Sequence, residues 1–135
     1  MHWFSRLQPL ALLVLRVVLG AIMIAHGYQK VSGIHGSQHF FSNVGLPAWA
    51  AYPVAALEFL GGMAIVLGVF ERFFAGAFAI EMMVAIWRVH YHNGFVKPGG
   101  YEFPLSLVAI GFTLLCFGGG PWGFSWGKGG GWGKR

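Results

Sequence analysis

A glutamate, Glu81, stands in the middle of the apolar run AGAFAIEMMVAIW, and this placement restricts the chain more than any other feature. An ionisable side chain inside a hydrophobic span is costly unless another part of the protein answers it, so it marks a functional-site candidate by default. Arg16, His26, Lys30 and Glu58 are the candidate partners, each within or at the end of another apolar stretch. The chain is 56% hydrophobic and 10% charged. A soluble domain carries about a quarter charged residues, so this composition excludes an ordinary water-soluble fold. The net charge of +5 does not point to nucleic acid, because Arg6, Arg72, Lys128, Lys134 and Arg135 flank apolar runs in the manner of cytoplasmic loops and tails.

Four spans follow from the hydropathy pattern, at about 7–31, 47–70, 73–91 and 104–117. Pro9 suits the first turn of the first span. The apolar run continues past Arg16 through Ile24, which favours an uncleaved membrane helix over a signal peptide. Residues 32–46 read as a polar loop, and Glu71-Arg72 as a tight turn that makes the second and third spans antiparallel neighbours. Asn93-Gly94 and Pro98-Gly99-Gly100 break the chain before a short fourth span. The expected fold is an all-α integral membrane four-helix bundle over residues 1–120, followed by a flexible Gly/Trp/Lys-rich tail over 121–135. The excess of basic residues at the chain ends and in the turn near residue 71 places both termini in the cytoplasm.

Helical geometry then sets depth. Arg16 and Glu81 each lie about nine residues from a cytoplasmic end, roughly 13 Å deep, and Glu58 lies roughly 18 Å deep. Left alone, each would cost about 2.5–3.5 kcal/mol, so the expected solution is one midplane cluster in which Arg16 faces Glu58, Glu81 or both. Small-residue stripes on the first two spans and an Ala-rich face on the third put these side chains on packed faces. A second cluster is expected at the outer mouth, from His26, Lys30, Arg88, His92, Asn93, Tyr101 and Glu102, with His90 turned elsewhere, toward the fourth span. Two readings stand for the midplane cluster: an ion network that fixes helix register, or a proton relay or ligand anchor. A metal or haem set from His26, His90 and His92, with Glu102, is disfavoured because positions i and i+2 of a helix point apart. The single cysteine, Cys116, excludes an internal disulfide, so any redox role needs a bound cofactor or a partner.

The segments HGYQK (His26, Lys30), LEFLGG (Glu58), VHYHNGF (His90, Asn93, Gly94) and GYEFP (Tyr101, Glu102) occur in an order and spacing that resemble the DoxX family of small bacterial membrane proteins, over about residues 7–126. That resemblance implies a four-helix bundle in the bacterial cytoplasmic (inner) membrane. It also implies an association with redox chemistry, since relatives form part of a thiosulfate:quinone oxidoreductase and others are membrane partners in oxidative-stress and thiol-stress complexes. It assigns no catalytic residue. The expectation is a subunit in contact with lipid and with other protein subunits. It would bind quinone through His26, Lys30 or Tyr101, with Glu58 and Glu81 as proton carriers, or position a partner enzyme. The alternative is a structural or assembly subunit with no ligand.

Overall fold

The computed structural model describes residues 2–124. A short helix α1 (His2–Arg6) leads into α2 (Gln8–Ser32), with a proline in its first turn. Gly33 ends α2, and α3 (Ile34–Asn43) follows directly. Residues 32–46 are therefore not the expected polar loop. Phe41 buries itself under α3, and the remainder of this short helix lies in the surface layer. A 3-10 turn at Ala48–Ala50 opens α4 (Ala51–Leu67). Gly68, at φ 78°, caps α4 in the left-handed conformation that glycine adopts without strain. The reversal lies at residues 68–70, so Glu71 belongs to the first turn of α5 (Glu71–Ala85) rather than to the turn itself. The negative charge of Glu71 suits the positive end of the α5 dipole. Beyond α5 a π-helical turn over Ile86–His90 and a 3-10 turn over Tyr91–Asn93 continue the same rod, and α6 (Glu102–Phe117) completes the bundle.

Three of these rods are long and apolar enough to cross a membrane: Gln8–Ser32, Ala48–Leu67 and Glu71–Asn93. The fourth, α6, has 16 residues and is about 24 Å long, a little short of the roughly 30 Å hydrocarbon layer. Large apolar side chains point outward from every rod, among them Val14, Val17, Leu60, Ile80, Met83, Trp87, Phe112 and Leu115. In water such a surface would aggregate; in a bilayer it meets acyl chains.

The rods pack as two tight pairs, α2 with α4 and α5 with α6, which meet each other over shorter stretches. Glycine makes the first pair close. A Cβ on Gly27 would stand 2.5 Å from the Phe59 nitrogen, and one on Gly62 would stand 2.8 Å from the Gly20 carbonyl oxygen. Gly111 does the same for the second pair, 2.8 Å from the Ala75 carbonyl oxygen. Lipid tails are as apolar as leucine, so helices in a bilayer associate through this close fit rather than through exclusion of water. Leu12, Leu19, Met23, Ile65, Phe78, Leu107 and Leu114 fill the centre.

The two ends of the described chain lie together. The Phe124 amide donates to the Leu67 carbonyl at 3.0 Å, and Gly120 sits against Leu12 and the Pro9 carbonyl. Residues 121–124 of the expected free tail are thus held against the ends of α4 and α2, while Trp126, Lys128, Lys134 and Arg135 lie outside the described residues.

Gly27→Val is expected to force α2 off α4. Overpacking of this kind costs about 1–3 kcal/mol. A lower melting temperature in detergent, with Gly33→Ala unchanged as the control, is the outcome to look for. Gly33 has space around it: a Cβ there would meet nothing nearer than the Gln29 carbonyl oxygen, at 3.5 Å.

Candidate functional site

The buried charges divide into two layers, and the division does not follow the expected midplane triad. Arg16 is 1% exposed. Its guanidinium donates to the carbonyls of Ile65 (3.0 Å), Val66 (3.0 Å), Gly119 (3.1 Å) and Trp122. Ile65 and Val66 belong to the last turn of α4, where carbonyls run short of intrahelical partners; the Ile65 carbonyl also takes the Gly68 amide at 3.2 Å. Gly119 and Trp122 follow α6. One planar fork of five N–H donors therefore ties α2, α4 and the segment after α6 into a knot. The nearest acidic charge is Glu71, at the start of α5. The expected contact of Arg16 with Glu58 or Glu81 is not made. Glu58 lies seven residues before Ile65 on α4, about 10 Å further along the helix. Backbone acceptors at a helix end satisfy a guanidinium as well as a carboxylate does, and sequence spacing does not register them.

The second layer lies toward the opposite end of the bundle. Lys30 Nζ reaches both oxygens of Glu58, at 2.8 and 3.0 Å. Glu58 is 2% exposed, while the Lys30 side chain is 23% exposed. His26, one turn before Lys30, lies within the field of both charges, and its ring stands 6.2 Å from that of Phe103 on α6. Glu81 comes from α5 and lies beside Glu58. Both of its oxygens are fully buried, and neither has a hydrogen-bond partner among the described residues. The four side chains His26, Lys30, Glu58 and Glu81 thus join α2, α4 and α5 at the seam between the helix pairs. The sequence assigned His26 and Lys30 to the outer mouth and the glutamates to the midplane; the structure merges those halves.

The remaining outer-mouth candidates do not join them. The π-helical turn at Ile86–His90 widens the rod and breaks the stripe that would have aligned Glu81 with Arg88 and His92. Such turns are frequent at functional sites. Arg88 stacks over Trp87, 4.2 Å from the ring centroid, and extends toward Gly45. His90 Nδ1 pairs with the Gly99 carbonyl at 2.7 Å, and Asn93 Nδ2 donates to the same oxygen at 3.0 Å. Both side chains therefore fasten the loop that enters α6. Within that loop Gly100 is walled in by the carbonyls of Gly94, Phe95 and Lys97, a site that no side chain fits. Tyr101 stacks between Tyr91 and Phe95, His92 lies edge-on to Tyr91, and Glu102 is exposed. Among the described residues no three His, Cys, Asp or Glu side chains stand close enough to share a metal ion.

Sequence reasoning passed over Glu71, Gly119 and Phe103. The run Gly118-Gly119-Gly120 was the available signal for the Arg16 knot, because a Cβ on Gly119 would stand 2.9 Å from the Arg16 Cδ.

The fold and this site define a class: a multi-pass helical membrane protein with a buried polar seam. The DoxX family pattern matches residues 11–91, more than half of the chain, and the chain belongs to that family. It is 34% identical over 102 residues to "Putative oxidoreductase CatD" of Bacillus subtilis, covering 76% of each chain. It is 27% identical to "Inner membrane protein YqjF" of Escherichia coli, over 90% of this chain and 92% of the relative. It is 28% identical to "Inner membrane protein YphA" of the same organism, over 84% and 76%. No solved structure matches the chain. Family, relatives and spans together make this an inner membrane protein.

Lys30→Met leaves Glu58 buried without its cation. Breaking a fully buried pair costs about 3–5 kcal/mol, and the partial exposure of Lys30 reduces that to about 1–3 kcal/mol. Thermal unfolding in detergent is expected to show Lys30→Met as more damaging than the double variant Lys30→Met/Glu58→Gln, in which position 58 neither holds an unpaired charge nor has to take up a proton to shed one.

Proposed function

We propose that the chain is a membrane-embedded subunit of a redox complex and that the seam around His26 and Lys30 receives the head group of a lipid-soluble quinone. Four considerations support this reading. The family and the oxidoreductase name carried by the Bacillus relative point to redox chemistry. The described residues include no redox-active disulfide, and the one cysteine, Cys116, faces outward on α6, so electrons would pass through a bound molecule or a partner. Quinone carbonyls accept hydrogen bonds, and the Lys30 ammonium and the His26 ring carry donors. Phe103, half exposed beside His26, is a flat apolar surface at the lipid edge of the same site. The single observation that carries the reading is the convergence of His26, Lys30, Glu58 and Glu81 from three helices at the junction of the two helix pairs. Tyr101, the other donor expected from sequence, has its ring against Tyr91 and Phe95, apart from these four side chains. The end of the bundle that holds Arg16 and the ends of the described chain is read as cytoplasmic, from the basic residues near it in sequence.

A second reading has its own support. Lys30 already satisfies both Glu58 oxygens, and Arg16 spends its donors on carbonyls, as expected of charges that fix helix register. The chain would then be a structural or assembly subunit.

Titrating the purified protein with a short-chain ubiquinone or menaquinone separates the two. The quinone reading predicts saturable binding that weakens about tenfold or more, equivalent to at least ~1.4 kcal/mol, in His26→Ala and in Glu58→Gln. Binding no tighter than in those variants contradicts it. The assembly reading predicts instead that the same variants lower the amount of the intact complex in membranes and leave turnover per complex unchanged.

A further inference from the structure

We propose that Glu58 and Glu81 form a one-proton site across the seam, with Lys30 holding Glu58 as the carboxylate and Glu81 carrying the proton. The site lies within the region proposed above for a quinone, yet it stands on geometry that requires no ligand.

Glu81 has neighbours on both helices of the other pair. Glu58 from α4 and Lys30 from α2 act on it, with His26 of α2 beside those two, while Arg88, in the π-helical turn beyond α5, is turned away, exposed and stacked over Trp87. Helix α6 brings Gly111 against Ala75 and Ala79 and the uncharged Phe103 against His26, while its own acid, Glu102, is exposed. Two carboxyl groups thus share one fixed cation. Lys30 is committed to both oxygens of Glu58, at 2.8 and 3.0 Å. Glu81 receives no such contact, and both of its oxygens are sealed from the surface without a hydrogen-bond partner.

An ionised carboxylate only accepts hydrogen bonds, so two of them side by side repel and cannot bond. In a low-dielectric interior the pair settles by keeping one proton, as adjacent carboxyl groups elsewhere do. The proton turns Glu81 into a donor directed at the carboxylate beside it. It also removes an uncompensated buried charge, the costliest feature the seam would otherwise contain. The asymmetry follows from Lys30, which sits on Glu58 alone.

The site exchanges its proton in a balanced step. Glu81 in the COOH form loses H⁺ to water, by a path past Lys30, whose side chain is 23% exposed, and becomes COO⁻. The reverse step restores it, and no electron moves. Loss of the proton places two negative charges against each other on α4 and α5, which belong to different helix pairs and meet over a short stretch. The seam is therefore where a change of proton occupancy acts on the bundle.

Infrared spectroscopy of the full-length protein in lipid vesicles tests this directly. The chain has four acidic side chains, Glu58, Glu71, Glu81 and Glu102, so the carbonyl stretch of a protonated carboxyl is readily assigned. At neutral pH the expected result is one such band. It disappears in Glu81→Gln, which keeps the shape and the neutral state of the side chain, and it persists in Glu102→Gln. Lys30→Met, in which Glu58 loses its cation, is expected to about double the band. Absence of the band in the unmodified protein, or its persistence in folded Glu81→Gln, overturns the proposal, as does an unchanged band in folded Lys30→Met. If Lys30→Met does not fold, the comparison with Glu81→Gln still decides. The outcome is independent of quinone: a protein that binds none and shows the band retains the proton site, and one that binds quinone without the band loses only the proton site.

Discussion

The bundle depends on the pair formed by Lys30 and Glu58. It gives a buried acid a cation inside the bundle, and it joins the two most closely packed helices, α2 and α4. Its position has consequences in both directions. Lys30 is near the end of α2, and its long stem carries the ammonium head in to the buried Glu58. Because it grips both oxygens of Glu58, it leaves Glu81 without a cation. The seam is therefore polarised, with a satisfied carboxylate on one side and an unsatisfied carboxyl on the other.

Arg16 has the opposite role. Its four carbonyl contacts close the end of α4 and secure the segment that follows α6, so that end of the bundle is tied by hydrogen bonds to backbone. Charge-assisted bonds of this kind are among the stronger ones available to a folded chain, at roughly 1.5–3 kcal/mol each. One end of the molecule is thus fastened by a guanidinium that has no freedom to exchange partners. The other end carries His26, Lys30, Glu58 and Glu81, side chains of titratable type. That contrast, more than any single residue, is why the seam rather than the Arg16 knot is the place to look for chemistry.

Much of this was legible in the sequence, for identifiable reasons. Hydropathy gave the four rods, because a chain that crosses lipid must satisfy its backbone within each segment and leaves long apolar runs behind. Small residues at Gly20, Gly27 and Gly62 marked the faces that touch. The need to compensate Glu58 and Glu81 was also visible, and both carboxyl groups do lie together. The identity of the cation was not. Depth counted from helix ends put Arg16 level with the glutamates, but a guanidinium takes whatever acceptors its fork can reach, and the carbonyls at the end of α4 and those of Gly119 and Trp122 lay closer. The π-helical turn at Ile86–His90 was equally hidden, since one extra residue in a turn leaves no mark on composition, yet it moved Arg88 and His92 off the face of Glu81. Helix α3 was missed because IHGSQHFFSN is polar and too short for a periodic pattern, and it is held by the burial of Phe41.

The most direct test is a solid-state NMR distance measurement in lipid bilayers between the Lys30 side-chain nitrogen and the Glu58 carboxyl carbon. The account predicts strong dipolar coupling between those two nuclei and none between the Arg16 guanidinium nitrogens and the Glu58 carboxyl. Coupling of Glu58 to Arg16, with Lys30 remote, would contradict it.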